Sequence, residues 1–358
     1  MRLKSLFLIA AALGLSAGIP PKRQDPGDLL TIPVNVKENH RLKLSAIASD
    51  VRKVTPEFNE ESAFGKVKKL ILYESGVIIL DHSDNLLLFD YAGKFVRRIG
   101  SPWISRGIFT DGPNFTDITF DRTSAILYVS THKNGILSFD LDGELIGGIE
   151  GLPPRLEGIK YHDYTLFGFS QTYAEKTGTK YRNRTKLYSY SLPDNKADSV
   201  EVWTVFLDWS IASGTSISDY NSLIDESTYV YYPSLYNESF VRDTLYRLQG
   251  NELLPALKLK FSNEGESTPS GGKSIDLMHI YHADHFIFSD YKYRGDDYFF
   301  IYDVRTGSGQ NMKHGVRDNI FHCGPVSIRP LDDNMFYYTH MDESDDERNA
   351  DIYIGTFR

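Results

Sequence analysis

The sequence has 358 residues, a formal net charge of −9, one cysteine (Cys323), 23 tyrosines and 21 phenylalanines. The negative charge argues against a nucleic-acid partner, and a single cysteine excludes an internal disulfide. The aromatic content and the short intervals between Gly, Asp and Asn residues favour one large β architecture over two average domains.

The chain opens with a predicted signal peptide, residues 1–17. Arg2 and Lys4 precede an apolar run that is too short for a permanent membrane span, and small residues follow it. Removing this leader takes away two cations, which changes the formal net charge from −9 to −11. Gly18 stands where a bacterial lipoprotein would carry its lipidated cysteine, so we do not expect lipidation. Residues 18–28 are interpreted as a linker, and the protein is predicted to be exported, as a periplasmic, cell-surface or secreted protein with no transmembrane segment.

A repeat follows the linker. An aromatic residue that closes an apolar strand recurs every 50 to 56 residues, at Phe89, Phe139, Tyr190, Tyr246, Tyr302 and Tyr353. A second apolar strand precedes each of these, and further strand-like runs lie before and after the pair. Four strands per unit and a period near fifty are typical of β-propeller blades. We therefore predict an all-β, six-bladed β-propeller over residues 29–358, with antiparallel strands A to D in each blade.

The repeat also predicts the turns and the closure of the ring. Gly93 and Gly143 are expected to join strands C and D of the first two blades, in tight turns that need positive φ. The sixth unit reaches Arg358 with no D strand. Because an open sheet edge invites aggregation, we predict that an N-terminal strand, Leu29–Val36, pairs with strand C of the last blade.

Two sequence segments resemble those of a known family. They are "NLLLFDYAGKFVRRIG", residues 85–100, followed by "DGPNFTDITFD", residues 111–121, with a weaker match in "DTLYRL" at 243–248. In these phrases the sequence resembles the exported six-bladed β-propeller proteins of Bacteroidetes, which are related to NHL-like and TolB-like propellers. The resemblance is specific over roughly residues 60–150. It implies the fold and an exported location, and it implies no reaction.

Blade geometry predicts where a ligand would bind. The B–C and D–A connections emerge on one face of the disc, called the upper face below, and the predicted B–C connections grow longer along the chain. They are rich in tyrosine and in cations, which suit the recognition of carbohydrate, peptide or carboxylate groups. The candidate ligand-binding residues are Tyr173, Tyr181, Arg182, Arg184, Tyr236, Arg242, Tyr291, Tyr293 and Arg294.

An alternative interpretation uses carboxylates in the central channel. Residues near the starts of the inner A strands offer Asp117, Glu157, Asp219 and Asp276. If these converged, they could hold calcium in a lactonase-like hydrolase. These carboxylates also have a purely structural explanation, since a water-filled channel tolerates polar side chains.

We searched for catalytic motifs and found none that is placed on the required elements. The first hypothesis is therefore a non-catalytic, monomeric, exported propeller that binds a peptide, glycan or protein partner on the upper face and needs no cofactor. The calcium-dependent enzyme is the second hypothesis.

Overall fold

The computed structural model of the protein describes residues 29–100, 114–208, 221–224, 227–234, 240–250, 252–262, 273–331, 334–341 and 348–358. The predicted signal peptide and linker lie outside these ranges. Within them, no helix has the length and apolarity needed to cross a membrane. Before the first blade, the chain forms strand β1 (Leu30–Val34), the one-turn helix α1 (Leu44–Ile47) and strand β2 (Ala48–Val54).

Three four-stranded antiparallel sheets follow as blades 1 to 3. Blade 1 contains β3 (Val67–Tyr73), β4 (Gly76–Asp81), β5 (Leu86–Asp90) and β6 (Phe95–Arg98). Blade 2 contains β7 (Phe115–Asp121), β8 (Ile126–Thr131), β9 (Ile136–Phe139) and β10 (Leu145–Ile149). Blade 3 contains β11 (Glu157–His162), β12 (Thr165–Thr177), β13 (Lys180–Ser191) and β14 (Lys196–Leu207).

The remaining three sheets complete the ring, and the predicted six-bladed β-propeller is confirmed. Blade 4 contains β15 (Asn221–Ile224), β16 (Ser227–Val230), β17 (Thr244–Gln249) and β18 (Glu252–Phe261). Blade 5 contains β19 (Ile275–Ala283), β20 (Phe286–Tyr293), β21 (Asp296–Asp303) and β22 (Ser308–Lys313). A small hairpin of β23 (Val316–Asp318) and β24 (Gly324–Val326) leads into blade 6, which contains β25 (Arg329–Pro330), β26 (Met335–His340) and β27 (Asp351–Phe357).

An N-terminal strand closes the ring, but it is not the predicted one. Strand β2 pairs antiparallel with β27, from Ala48 opposite Phe357 to Val54 opposite Ile352, and so supplies the missing outer strand of blade 6. The predicted run, Leu29–Val36, instead contains β1, which pairs in parallel with β18 as a fifth strand of blade 4. Hydrophobicity misled the prediction because an outer strand buries few side chains, and most of β2 is exposed or half-buried.

Apolar side chains fill the spaces between blades. On β4, Val77 and Ile79 pack in a cluster with blade 6, whereas Ile78 and Leu80 pack in a cluster with blade 2. All four side chains are completely buried. Since successive side chains of a strand point to opposite faces, one apolar run serves two interfaces, which explains why the strands read as nearly continuous apolar sequence.

The C–D turns form as predicted, with φ of 85° at Gly93 and 83° at Gly143. They differ in their surroundings. A Cβ atom added to Gly93 would lie 2.0 Å from the carbonyl oxygen of Thr55, just after the ring-closing strand, whereas one added to Gly143 would meet nothing closer than 3.8 Å. The backbone amide of Glu57 also donates to the carbonyl oxygen of Gly93, at 2.7 Å.

We expect Gly93→Ala to destabilise the protein more than Gly143→Ala. Both substitutions place alanine at positive φ, which costs about 1 kcal/mol. Only Gly93→Ala also brings a Cβ atom into contact with the segment that follows the ring-closing strand. This contact raises the loss in the free energy of unfolding to about 2 kcal/mol. Urea unfolding of both variants measures the difference, and equal losses would show that contact with the closing segment does not contribute to stability.

Candidate functional site

Two of the predicted B–C loops are extensions of the sheet. Residues 171–184 belong mostly to β12 and β13, which continue as a hairpin to a turn at Gly178, accompanied by the long strand β14. In blade 5, residues 290–297 form the ends of β20 and β21 around a two-residue turn. The prediction of loops was wrong because these hairpins have a polar, loop-like sequence, although Asn183, Asp290 and Tyr291 are buried.

The hairpin carries four predicted ligand-binding residues: Tyr173, which is described below with Glu157, and Tyr181, Arg182 and Arg184. Arg182 forms a bidentate ion pair with Glu175, with two nitrogen–oxygen distances of 2.7 Å and one of 3.1 Å. Arg184 lies opposite Thr172 and Thr204 in the sheet, and Tyr181 lies half-buried opposite Leu207.

The blade 5 candidates lie apart from those on blade 3. Tyr291 is completely buried, and its hydroxyl donates to Oδ1 of Asn311 at 2.8 Å, so its ring offers no surface to a ligand. Tyr293 packs edge-on against Tyr298, and the guanidinium of Arg294 lies over the Tyr293 ring at 5.3 Å. Tyr236 lies outside the described residues.

Asp117 is paired with a cation. Its Oδ1 lies 2.9 Å from Nζ of Lys69 on the neighbouring inner strand, and its Oδ2 accepts the amide of Ile159 from blade 3 at 2.7 Å. Lys69 also donates to the carbonyl oxygen of Ile159, at 3.0 Å. The side chains of Asp117 and Lys69 are only 1% and 11% exposed. This ion pair therefore joins the inner strands of blades 1, 2 and 3.

Asp276, another predicted metal ligand, does not belong to the Asp117–Lys69 ion pair. Asp276 is half-exposed and pairs with Lys273 at 2.9 Å, and Asp219 lies outside the described residues. In the part of the chain that the structure describes, no group of three or more His, Cys, Asp or Glu side chains could hold a metal ion. The predicted convergence of four carboxylates is therefore not seen for the three that can be placed.

A second ion pair joins blades 5 and 6. Nη1 of Arg329 on β25 lies 2.7 Å from Oδ2 of Asp290 on β20, and it also donates to the hydroxyl of Tyr281 at 3.0 Å. Burial raises the pKa of Asp290, while Arg329 and a hydrogen bond from Ser327 lower it. As with Asp117 and Lys69, the charges of this pair are directed at each other.

Glu157 lies in a different environment, at the start of β11 on the upper face. Burial raises the pKa of this carboxyl from its usual 4.5 to about 7, and the charge of Asp117 acts in the same direction. A hydrogen bond from Gln171, at 3.3 Å, and the charge of Arg155 act against this rise. The other amide atom of Gln171, Oε1, is buried and accepts no hydrogen bond.

Tyr173 and Arg242 lie on the same side of the channel as Glu157. Burial, followed by the charge of Glu157, raises the pKa of Tyr173, and the charges of Arg155 and Arg242 oppose this. Arg242 is 8% exposed. Its guanidinium carbon lies 5.0 Å from the ring centre of Trp203 and 5.5 Å from that of Tyr232. Stacking on aromatic faces holds a guanidinium in one orientation.

We call these residues the blade 3–4 cluster: Arg155, Glu157, Gln171, Tyr173, Trp203, Tyr232 and Arg242. It unites residues that the sequence assigned to different hypotheses, since Tyr173 and Arg242 were candidate ligand-binding residues and Glu157 a candidate metal ligand. Sequence reasoning missed Arg155, Gln171, Trp203 and Tyr232. Gln171 is the first residue of the predicted B–C connection 171–184, and Arg155 lies two residues before β11, so a search for polar residues of every type at these positions would have found both.

The fold agrees with that of one solved structure. A protein of Bacteroides fragilis NCTC 9343, described as a "Putative exported protein", superposes with a TM-score of 0.60 at 14% identity, covering 92% of this chain and 100% of that one. The Myceliophteria thermophila Cps50 (Swd1) β-propeller domain and U3-55K have TM-scores of 0.42 and 0.46, both at 8% identity over 86% of this chain and 99% of theirs. No curated protein matches the sequence. The model of the family described as "Domain of unknown function (DUF4934)" matches residues 29–351, and the chain belongs to that family.

Proposed function

We propose that this propeller is a non-catalytic binding protein that holds its ligand at the blade 3–4 cluster. The observation that carries the proposal is the buried guanidinium of Arg242, held between the rings of Trp203 and Tyr232 and close to Tyr173. A donor that the fold already orients loses little entropy when a ligand binds, and rigid aromatic rings supply contact area at low entropic cost.

The polar atoms of this region support the same conclusion. Asp117 and Asp290 form ion pairs with Lys69 and Arg329, respectively, outside the cluster. In the cluster, by contrast, Oε1 of Gln171 and Nε1 of Trp203 are buried without hydrogen-bond partners. Gln171 and Trp203 lie in one row of blade 3, on either side of Thr185. Buried polar groups are normally satisfied, so an unpartnered acceptor and an unpartnered donor in this row favour a ligand that supplies their partners.

The proposed ligand is a glycan or a peptide, free or displayed by a partner protein, and the proposed setting is outside the cytoplasm. The predicted leader at residues 1–17 supports export. Kinship with NHL-like propellers belongs to the same proposal and rests on the phrases at residues 85–121.

A thermal-shift experiment tests the binding site. We expect at least one member of a panel of neutral oligosaccharides, acidic oligosaccharides and short peptides to raise the melting temperature, because a ligand at about 100 times its Kd stabilises the native state by about 2.7 kcal/mol. Tyr173→Ala should remove most of this shift, measured against the melting temperature of the unliganded variant. A shift that Tyr173→Ala leaves intact, or no shift with any ligand, would contradict the proposal.

Tyr164→Ala provides the matched control. Tyr164 lies between β11 and β12 on the opposite face of the same blade, and 56% of the residue is exposed. Its replacement removes the same aromatic ring from the surface without touching the cluster, so the ligand-induced shift should not change.

A further inference from the structure

The upper part of blade 3 lacks the inner strand that the lower part has. Strand β11 pairs with β12 only as far as Glu157 opposite Phe169. β12 and β13 continue above this point as a hairpin, as far as Thr177 opposite Lys180. Among the residues that the structure describes, none pairs with the inner side of β12 above Phe169. We call this part of β12, residues 170–177, the inner edge.

The segment that leads into β11 does not cover the inner edge. The backbone amide of Arg155 donates to the carbonyl oxygen of Thr131 in blade 2, at 2.8 Å. The carbonyl oxygen of Leu156 accepts a hydrogen bond from the hydroxyl of Thr116, also in blade 2, at 3.1 Å. These contacts hold the residues before Glu157 against blade 2. The space in line with β11 and above Glu157 therefore lies outside the path of this segment.

Gln171 directs its backbone groups at this space. The two-residue turn between β11 and β12 has positive φ at both positions, so His162 and Thr165 form a hydrogen-bonded pair. Each residue of an antiparallel strand directs its N–H and C=O to one neighbouring strand, and successive residues alternate. Every second residue from Thr165, including Phe169 and Gln171, therefore faces the side of β11. Phe169 still has Glu157 opposite it, whereas Gln171 has no described residue opposite it on this side.

A β-bulge lies just above Gln171, where the register of β12 with β13 shifts between Thr172 and Glu175. Bulges are frequent beside binding sites, where they re-aim a side chain. Here Tyr173 lies within the bulge and packs against the apolar cluster that blades 3 and 4 share. The regular part of the inner edge is therefore short and centres on Gln171, with the ring of Tyr173 beside it.

We propose that the ligand is an extended peptide, which pairs with the inner edge of β12 and adds a strand to blade 3 in line with β11. One residue of the peptide exchanges two backbone hydrogen bonds with Gln171, and its side chain lies on the same face as Gln171 and Tyr173. A serine, threonine, asparagine or glutamine at this position also donates to Oε1 of Gln171, which is buried without a hydrogen-bond partner. This inference deepens the proposed function and depends on it.

The geometry favours a peptide over a glycan. A strand edge presents its N–H and C=O groups in the plane of the sheet, and a second extended backbone meets them with the same spacing. A glycan instead depends on aromatic faces and charged side chains. Residues 170–177 contain one aromatic ring, that of Tyr173, and the guanidinium of Arg242 already lies over the ring of Trp203, at 5.0 Å.

Hydrogen exchange, read at single residues by mass spectrometry, tests whether the inner edge is open. In the unliganded protein we expect the amide of Gln171 to exchange at least about tenfold faster than that of Ser170, because the Ser170 amide faces β13 and has Lys186 opposite it. Slow exchange at Gln171 would overturn the inference, since it would show that another part of the chain already pairs with this edge.

A random heptapeptide library displayed on phage supplies the peptides for a binding test, with the chain from residue 18 onwards as the target. We expect selected peptides to slow exchange of the Gln171 amide. Single N-methylation of the peptide residue opposite Gln171, found by methylating each position in turn, should weaken binding at least about tenfold, because it removes a backbone hydrogen bond. Methylation of the residue on either side should have little effect, since those amides point away from β12. Equal affinities of all methylated peptides, or a library that yields no binder, would overturn the inference.

Gln171→Pro and Gln171→Ala form a matched pair of variants. Proline removes the inward N–H without removing a hydrogen bond between β12 and β13, and edge strands tolerate proline at such positions. Alanine removes the side chain and keeps the N–H. Titration calorimetry with a selected peptide should therefore show at least about tenfold weaker binding to Gln171→Pro than to Gln171→Ala. The methylated peptides test the same contact on the unaltered protein, so the result does not depend on whether Gln171→Pro folds.

Two outcomes separate this inference from the proposed function. Equal binding of the selected peptide to folded Gln171→Pro and to Gln171→Ala would overturn strand addition, while loss of that binding in Tyr173→Ala would leave the proposed binding function standing. An oligosaccharide whose thermal shift is lost in Tyr173→Ala, together with a peptide library that yields no binder, would also overturn the peptide inference and leave the proposed function standing.

Discussion

Replacement of Asp117 with alanine is expected to lower the free energy of unfolding by about 3 to 5 kcal/mol, because removal of one partner of a buried ion pair leaves the other charge without compensation. Nζ of Lys69 loses a contact of 2.9 Å, and the amide of Ile159 loses its carboxylate acceptor. The loss should be visible as a lower urea midpoint, since the pair joins three blades and disappears when the chain unfolds.

Asp276→Ala is the matched control. It removes the same group from a second ion pair of the same length, to Lys273, but that aspartate is 51% exposed. Surface ion pairs contribute about 0 to 1 kcal/mol, so the loss should be small. A double variant with Asp117→Leu and Lys69→Met should recover much of the stability lost in Asp117→Ala, because apolar residues can replace a buried pair. Equal losses in Asp117→Ala and Asp276→Ala would show that burial does not set the cost.

Replacement of Glu157 with glutamine is expected to stabilise the protein by about 3 kcal/mol above pH 7, which is the free energy that corresponds to a pKa of about 7 in the fold against 4.5 in the unfolded chain. Between these two pKa values the folded state holds the proton and the unfolded state has released it. The stability of the parent protein therefore falls as the pH rises through this window. Glutamine has no proton to release, so the advantage of the variant should disappear as the pH falls towards 4.5.

Urea unfolding at about pH 5 and about pH 8 measures this effect, because the two conditions bracket the upper part of the window. Glu144→Gln, at an exposed position in the C–D turn of blade 2, should change stability little at either pH. A stabilisation by Glu157→Gln of the same size at both pH values would show that the carboxyl does not titrate within the window.

The repeat could be predicted from the sequence because it depends on the residue types within each strand. Phe89, Phe139 and Tyr353 each close an apolar strand that is buried on both faces, so each blade leaves an uninterrupted apolar signal in the sequence. The Gly93 and Gly143 turns were readable for a similar reason, since positive φ restricts the residue type at that position alone.

The ring-closing strand was harder to identify. β2 buries few of its side chains and is held in place by backbone hydrogen bonds to β27, more than 290 residues later in the sequence. Any extended segment can make such bonds, so residue types give a weak signal for which one does. The more apolar β1 was the natural choice from hydrophobicity, and its buried Ile32 and Val34 in fact pack between blades 4 and 5.

For the candidate site too, the sequence predicted which residues are involved but not their environments. One rule, a carboxylate near the start of an inner strand, selected both Asp117 and Glu157. Asp117 is paired because Lys69 of the preceding blade reaches it, whereas Glu157 is half-buried, with a raised pKa, beside Gln171 and Tyr173. Their difference comes from neighbours that are far apart in sequence.

The sequence by itself determined the architecture: the number of blades, the order of strands within them and the face on which the inner strands begin. These follow from side-chain periodicity and turn residues, which act over a few positions of the chain. Only the tertiary structure decided which strand closes the ring, which charges are paired and which polar groups remain at the channel mouth. Those outcomes depend on distances between blades, and Coulomb and hydrogen-bond energies change steeply over a few ångströms.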